Sequence, residues 1–560
     1  MLLTMRILIF SLLFFISLTV SPLWAQARHA AGIATAHPAA TRAGHEILAA
    51  GGNAFDAAVT VSAVLAVVEP YSSGLGGGGF WLLHRARDGF QVMIDGRETA
   101  PGRAHRDMYL DDQGKVRPGA SVDGPLAAGI PGVPAGLALL ARDYGRLPLS
   151  KTLAAAIRIA REGFAVEAYY QRMAGFRLQA LQASPAAARI FLLDNEVPPP
   201  GHLIKQPALA ETLTLLAEEG AAGFYAGRYA QQLVTGVRDA GGIWRLEDLA
   251  RYTALHREPV QMAYRGARIT SVPPPSSGGV ALATIFNQLR LKKTLVHDQA
   301  DRVHLIIEAM RRAYRDRAEY LGDTDVVTVP VTRLTSLAHA QQLSANIDMA
   351  TATPSSTLRA VTGASGKGAD TTHFSILDSE GNRVAATLSI NYPFGSGFVV
   401  PGTGVLLNDE MDDFSARPGA PNVYGLVGGE ANAIAPYKRP LSSMSPAFVE
   451  DARGLAVIGT PGGSRIITMV MHGILAYLDG AEAQAIVSRC RYHHQYLPDE
   501  VQYERGAFSE ALAIELQLRG HVLSERDDFG NMQVVTWQRE HNHVTAASDP
   551  RGIGHADVRQ

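Results

Sequence analysis

The chain has 560 residues, is 47% hydrophobic and 19% charged, and carries a formal net charge of -2. That is ordinary globular composition with several domains' worth of chain, or one large α/β unit, and the balanced charge gives no basis for nucleic-acid or acidic-polymer binding. The single cysteine, Cys490, excludes an intrachain disulfide, so stability rests on a large core; the residue itself reads as a buried small side chain rather than a nucleophile.

The N-terminus reads as a targeting segment. Arg6 precedes the apolar run ILIFSLLFFISLTV, and small residues at Ala25 and Ala27 follow. This is the layout of an export signal, residues 1–25, and the apolar run is short for a membrane span. No cysteine follows it to take a lipid. The expected location is periplasmic or secreted, with no stable membrane insertion once the signal is removed.

Next comes a strand and two helices. Gly51-Gly52 separates the helices, and Asn53 is placed to cap the second. SSGLGGGGFWLLHR, residues 72–85, is a glycine-rich loop entering a strand. It lacks the lysine and the strand-to-helix context of a phosphate loop, so close packing or a substrate-facing loop is the better reading. VMIDGRETAP reads as a strand ending on Arg97 and Glu98. Residues 130–260 are mostly helical. DRVHLIIEAMRRAYRDRAEYLGD, residues 301–323, gives the clearest helix: Asp301 can cap it, and Val303, Ile306, Ile307, Met310 and Tyr314 form its stripe. Its arginines alternate with acids, which predicts a solvated face. The stretch 351–370 has the Ser/Thr/Gly/Ala composition of a flexible linker.

That linker runs into DTTHFSILDSEGNRVAATLSIN, residues 370–391. Alternation with period two on both sides of Asp378-Ser379-Glu380-Gly381-Asn382 predicts a half-buried hairpin. A turn with glycine last pairs Asp378 with Asn382 and sets Thr371 opposite Ser389. Thr371, Ser389 and Asn391 then share the polar face. A threonine hydroxyl is a weak nucleophile unless a base adjoins it, and a chain cut before Thr371 would supply one as its own α-amine. Further on, residues 509–521 predict a helix capped by Ser509 and stopped at Gly520, and a final strand pair follows. There is no internal repeat and no metal-ligand spacing, and no cofactor is expected; His493-His494 and His541/His543 read as structural or surface residues.

The region after the hairpin carries the remaining chemistry. NDEMDDFS puts four acids, Asp409, Glu410, Asp412 and Asp413, in one short loop. PNVYGLVGG, KRPLSSMSP and TPGGSR follow. Acids can hold an ammonium group, Arg97 with Ser442 and Ser443 a carboxylate, and the N–H groups of Gly462 and Gly463 an oxyanion.

With GGNAFDAAV, GLGGGGF, DGRETAP, PPPSSGG, TTHFS, MDDFS, PNVYGLVGG, KRPLSSMSP and TPGGSRII in this order, the chain resembles the γ-glutamyltransferase (glutathione hydrolase) family over nearly its whole length after the signal. The resemblance implies an α+β fold, the four-layer αββα sandwich of N-terminal nucleophile hydrolases. It implies autocleavage between Asp370 and Thr371 into a large subunit, residues 26–370, and a small catalytic subunit, residues 371–560, that stay together as a heterodimer. Thr371 then takes the γ-glutamyl group of glutathione or related compounds and passes it to water or to an acceptor amino acid or peptide. By position, Ser389 hydrogen-bonds Thr371, Gly462 and Gly463 form the oxyanion hole, and Arg97 with Ser442 and Ser443 binds the α-carboxylate. Asp413, Glu410 and Asn391 bind the α-amino group, and Tyr424 sits on a lid.

Three positions depart from family members: Ser389 stands where several have threonine, Glu410 where some bacterial ones have glutamine, and Asp370 differs before the cut. The hydroxyl and the carboxylate keep the expected interactions. A cephalosporin (glutaryl) acylase of the same superfamily, a poly-γ-glutamate transferase and an exported amino-acid-binding protein are the alternatives. Retention of Asp413 favours the γ-glutamyl reading over the acylase.

Overall fold

A computed structural model describes residues 29–358 and 371–560. The signal segment, Asp370 and most of the linker lie outside the described residues. Two antiparallel sheets stack face to face. The first contains β1 (Ala31–Thr35), β2 (Gly78–Arg85), β3 (Phe90–Gly96), β4 (Leu255–Arg257), β7 (Thr372–Leu377), β8 (Arg383–Ser389) and β13 (His555–Arg559). The second contains β5 (Val260–Tyr264), β6 (Ala267–Ser271), β9 (Ala447–Glu450), β10 (Gly454–Gly459), β11 (Gln533–Gln538) and β12 (His543–Ser548). Strand order is β13-β1-β7-β8-β2-β3-β4 in one sheet and β12-β11-β10-β9-β6-β5 in the other. Helices α1 (Pro38–Ala49) and α2 (Ala54–Val68), with the helices between 133 and 251, cover the first sheet. Helices α3 (Gly278–Lys292), α4 (Gln299–Tyr320) and α5 (Ile466–Leu478) cover the second. The result is the expected αββα sandwich.

The β7–β8 hairpin sits mid-sheet, in the predicted register. Leu388 pairs Thr372 and Arg383 pairs Leu377, so the pairing extends to Thr371 and Ser389 at one end and to Asp378 and Asn382 at the other. The turn holds because Asp378 Oδ1 accepts the N–H groups of Glu380 and Asn382, at 2.9 and 3.0 Å, while Gly381 takes φ +91. One expectation fails here. The hairpin is buried on both faces. Phe374, Ile376, Val384, Ala386 and Leu388 pack under the α2 layer, and the other face meets the second sheet. A polar face in a four-layer sandwich is therefore an interior face, not a solvated one. Gly459 marks the closeness of the sheets, since a Cβ there would lie 2.2 Å from the His373 ring.

Helix α2 is wholly buried, and such a helix needs its free N–H groups closed by protein. Asn53 does this: its Oδ1 accepts from Phe55 and Asp56, and Asp56 returns a bond to the Asn53 N–H. In α4 the cap is Asp298, whose Oδ1 accepts from the Asp301 N–H at 2.8 Å, and Asp301 bonds back to His297 N. The predicted cap, Asp301, therefore lies one turn inside. The solvated face expected of α4 is also corrected, because Glu308, Arg311, Arg312, Asp316 and Arg317 are all buried. The helix lies in a layer between sheet and surface loops, so its charges form interior networks. Arg312 Nη1 meets Glu308 Oε2 at 2.5 Å, and the Thr353 N–H donates to Glu308 Oε1 at 3.1 Å. Asp499 takes the Ser355 N–H at 2.7 Å. The first residues of the linker stretch are thereby pinned.

Two smaller differences remain. Four strands rather than a pair follow the last helix: Leu523–Arg526 pairs parallel with Val501–Glu504 in a small separate sheet, and the last, HADVR, crosses to the first sheet and pairs with β1. Cys490, two residues past the short helix Ala483–Ser488, is half-buried rather than buried. Among the described residues no helix is long and apolar enough to cross a membrane.

Candidate active site

Thr371 lies at the end of β7, beside the β8 terminus and the N-terminal end of α5. Its Oγ1 is 3.2 Å from Ser389 Oγ, the pair the hairpin register predicts. Ser389 Oγ also accepts the Asn391 N–H at 2.8 Å. Asn391 turns the chain with φ +73, a conformation asparagine tolerates better than most residues. Its side-chain amide donates to Asp409, so Asp409 acts as a buried brace for this turn.

Across the cleft stands Arg97, the residue after β3 and 0% exposed. Its N–H is held by Asp95 Oδ1 at 2.9 Å, its carbonyl accepts from Tyr252, and its Nε donates to Pro440 O. The guanidinium then spans the acidic loop. Nη1 bonds Glu410 Oε1, Nη2 meets Asp413 Oδ2 at 2.5 Å, and Glu98 lies 3.7 Å away. Burial alone would lower the Arg97 pKa, but the three carboxylates hold it above its ordinary range. Burial pushes Glu410 up to about 7 despite Arg97, and raises Glu98 well above the usual range. Burial thus favours the protonated forms of Glu98 and Glu410, which eases the crowding of acids around one cation. Asp412, whose burial raises it to about 6, plays a different part: it accepts from Ser121 Oγ and from the Val423 N–H, anchoring the segment that carries Tyr424.

Tyr424 closes the cleft. Its hydroxyl donates to Asn391 O at 2.6 Å, and its ring covers Gly463, where a Cβ would lie 2.6 Å from Cδ1. Gly463 has φ +55 and lines the cleft; Gly462 stands one residue back with φ +140. Both precede α5, where helix N–H groups favour negative charge. Ser442 and Ser443 also line the cleft. The PPPSSGG loop holds them: Pro275 O accepts the Ser442 N–H, and Ser277 donates through both N and Oγ to Ser442 O. Among the described residues, all the predicted site residues but Gly462 thus line one cleft, Gly462 standing one residue before Gly463; Asp370 lies outside the described residues.

Sequence reading missed residues behind the cleft. Arg317 donates to Ser443 Oγ, and Tyr314 to the Ser464 carbonyl. Below the sheet, Thr372 Oγ1 donates to Glu69 Oε2 at 2.7 Å. Glu69 lies beyond the end of α2, and burial raises its pKa from 4.5 to about 7. Between those values the folded chain keeps a proton that the unfolded chain has lost, so this group's stability contribution falls as pH rises from 4.5 to 7. Glu69→Gln removes that loss. Its melting temperature should match the parent near pH 4, below the unfolded value, and exceed it at pH 8, by the equivalent of about 3 kcal/mol.

A hydroxyl at the head of a central strand, within an αββα sandwich, defines an N-terminal nucleophile hydrolase fold. The chain belongs to the γ-glutamyltranspeptidase family: the family model described as Gamma-glutamyltranspeptidase matches residues 40–558. It is 42% identical over 526 residues to the glutathione hydrolase proenzyme of Escherichia coli (strain K12), covering 93% of this chain and 90% of that one. It is 39% identical over 518 residues to the proenzyme of Pseudomonas aeruginosa, covering 91% of each. Among solved structures, a cephalosporin acylase from Bacillus halodurans superposes with TM-score 0.82 at 28% identity, covering 95% of this chain and 96% of that one. A Helicobacter pylori γ-glutamyltranspeptidase chain superposes with TM-score 0.55 at 39% identity, covering 57% of this chain and 92% of that one.

Proposed function

We propose that this protein is a γ-glutamyltransferase and glutathione hydrolase that matures by cutting itself before Thr371. One observation carries the reading: the cleft joins Thr371 to a buried guanidinium already paired with two carboxylates, Glu410 and Asp413. Such a set suits a zwitterion. A glutamyl α-carboxylate takes Arg97, Ser442 and Ser443, its ammonium takes Asp413, Glu410 and Asn391, and neither protein charge is stranded. In the free protein those charges satisfy each other, and the cleft holds about 20 Å³, room for a water. Binding therefore parts Arg97 from its carboxylates and lifts the Tyr424 segment, which acts as the lid.

Maturation and turnover use one hydroxyl. Thr371 Oγ attacks the Asp370 carbonyl carbon, the peptide C–N bond breaks, and an ester forms. Water hydrolyses it, leaving a carboxylate on Asp370 and an α-amine on Thr371. Free α-amines titrate near about 7.7–8.0, so the amine can act as a base at neutral pH, which the amide it replaces cannot. It takes the hydroxyl proton as Oγ attacks the γ-carbonyl, with Ser389 orienting Oγ. The N–H groups of Gly462 and Gly463 hold the oxyanion. The proton passes to the leaving amine, and water or an acceptor amine then releases the γ-glutamyl ester. Residues 26–370 and 371–560 remain together as a heterodimer, exported to the periplasm or beyond under residues 1–25.

The relatives' name, glutathione hydrolase proenzyme, supports this at 42% and 39% identity, against 28% for the acylase. The test is a denaturing gel beside an assay of glutamate release and γ-glutamyl-glycylglycine formation from glutathione. Two fragments and γ-glutamyl turnover are expected; an intact chain hydrolysing glutathione at full rate overturns the mechanism. Asp413→Asn keeps the shape but loses the charge, and is expected to lower kcat/KM for γ-glutamyl donors by about 1.5–3 kcal/mol of transition-state binding. Steady-state kinetics check it, and unchanged values remove Asp413 from the ammonium site.

A further inference from the structure

Arg317 differs from the other arginines of α4. Arg311 pairs with Glu308 and Asp499, Arg312 with Glu308, and Arg315 with Asp316 and Glu319. Arg317 is 4% exposed, and among the described residues no carboxylate closes on it as an ion pair. Its guanidinium instead donates from Nε to Ser277 Oγ at 3.0 Å and from Nη2 to Ser443 Oγ at 3.2 Å. A buried guanidinium held by neutral hydroxyls lacks the counter-ion that normally offsets its desolvation. Burial accordingly holds its pKa below the ordinary range, against the distant pull of Asp413.

The two serines have fixed roles. Ser277 passes its own hydroxyl hydrogen to Ser442 O at 2.7 Å, so its oxygen faces Arg317 as an acceptor. Ser443 accepts from Arg317 while lining the cleft. A hydroxyl oxygen that accepts from a cation has its own hydrogen left to donate, and this one borders the space a substrate enters. Arg97, the other cation at this wall, is shared with Glu410 and Asp413.

We propose that Arg317 is a positioning residue for the donor's α-carboxylate: it orients and polarises the Ser443 hydroxyl toward that group and places a second positive charge behind it, so that the bound carboxylate is its missing counter-ion. This rests on the γ-glutamyl reading of the cleft. It makes recognition of the carboxylate the work of two arginines, Arg97 lining the cleft and Arg317 behind Ser443. The same arrangement places a selectivity step on α4, a helix that touches no substrate atom.

The experiment compares two anilide donors on the processed enzyme: γ-glutamyl-p-nitroanilide, and 4-aminobutyryl-p-nitroanilide, which keeps the ammonium but lacks the α-carboxylate. Arg317→Met is expected to raise KM for the first about 10–100-fold with kcat nearly unchanged, and to alter kcat/KM for the second by less than about 3-fold. Arg317→Lys, which keeps the charge but cannot bridge both serines, should recover most of the loss. Equal losses on both donors, or an unmoved KM on the first, overturn the proposal. Should Arg317→Met fail to process, Arg317→Lys carries the same comparison: a smaller KM rise confined to the first donor supports the proposal, and a loss shared by both donors overturns it. If the parent enzyme itself ignores γ-glutamyl donors, the functional reading has failed rather than the role of Arg317.

Discussion

Thr371→Ala is expected to leave the polypeptide in one piece and to lower glutamate release from glutathione by about 10³-fold or more. The size follows from one atom serving two steps. Without Oγ there is no ester to hydrolyse, so the α-amine never forms. The variant therefore lacks nucleophile and base together, and losses of groups acting as a unit approach the whole catalytic effect. Folding should be spared, because Thr371 stands outside the β7 ladder, at the strand's end beside Ser389. A denaturing gel shows one band where the parent shows two. Thr371→Ser separates the steps: it keeps Oγ, so it should process and turn over, though more slowly. A Thr371→Ala protein that still splits, or an unsplit one with parental turnover, removes Thr371 from the chemistry.

The hairpin and its register were legible because both depend on neighbours in sequence. Alternation fixes the faces, and the Asp378-to-Asn382 turn fixes the pairing through side-chain bonds four residues apart. The cap of α2 was legible for the same reason. Arg97 and Glu410 are different, being 313 positions apart. No periodicity joins them, and only the order of whole motifs brought them to one site. Burial was the quantity local pattern misjudged. The acids of NDEMDDFS and the charges of α4 have the composition of solvated surface, yet Asp409, Glu410, Asp412 and Arg317 are interior. Layering decides this: in a four-layer fold, both faces of a sheet and much of a covering helix lie inside. One signal for Arg317 was present. The stripe of Val303, Ile306, Ile307, Met310 and Tyr314 continues at helical spacing to position 317, placing that arginine on the buried side. Glu69 had no such signal, since a glutamate at a helix end normally faces water.

Arg97→Met should produce the second large loss, about 10²–10³-fold in kcat/KM for γ-glutamyl donors, the usual cost of removing one member of a buried charge set. Two effects combine. The α-carboxylate loses its direct partner, and Glu98 and Glu410 lose the cation that partly offsets their burial. Glu98 and Glu410 are already raised by burial with Arg97 present, and without it they hold their protons to higher pH. A protonated carboxyl holds an ammonium group less well, so the variant's residual activity should shift toward alkaline pH relative to the parent. Stability moves the opposite way. At pH 5 the Glu98 and Glu410 carboxyls are neutral, and the missing cation costs them little; by pH 8 the fold must either bury these two as anions without a partner or keep their protons against the solvent. The gap in melting temperature between parent and variant should therefore widen as pH rises from 5 to 8. A gap that stays constant across that range would mean that Glu98 and Glu410 do not depend on Arg97 for their charge.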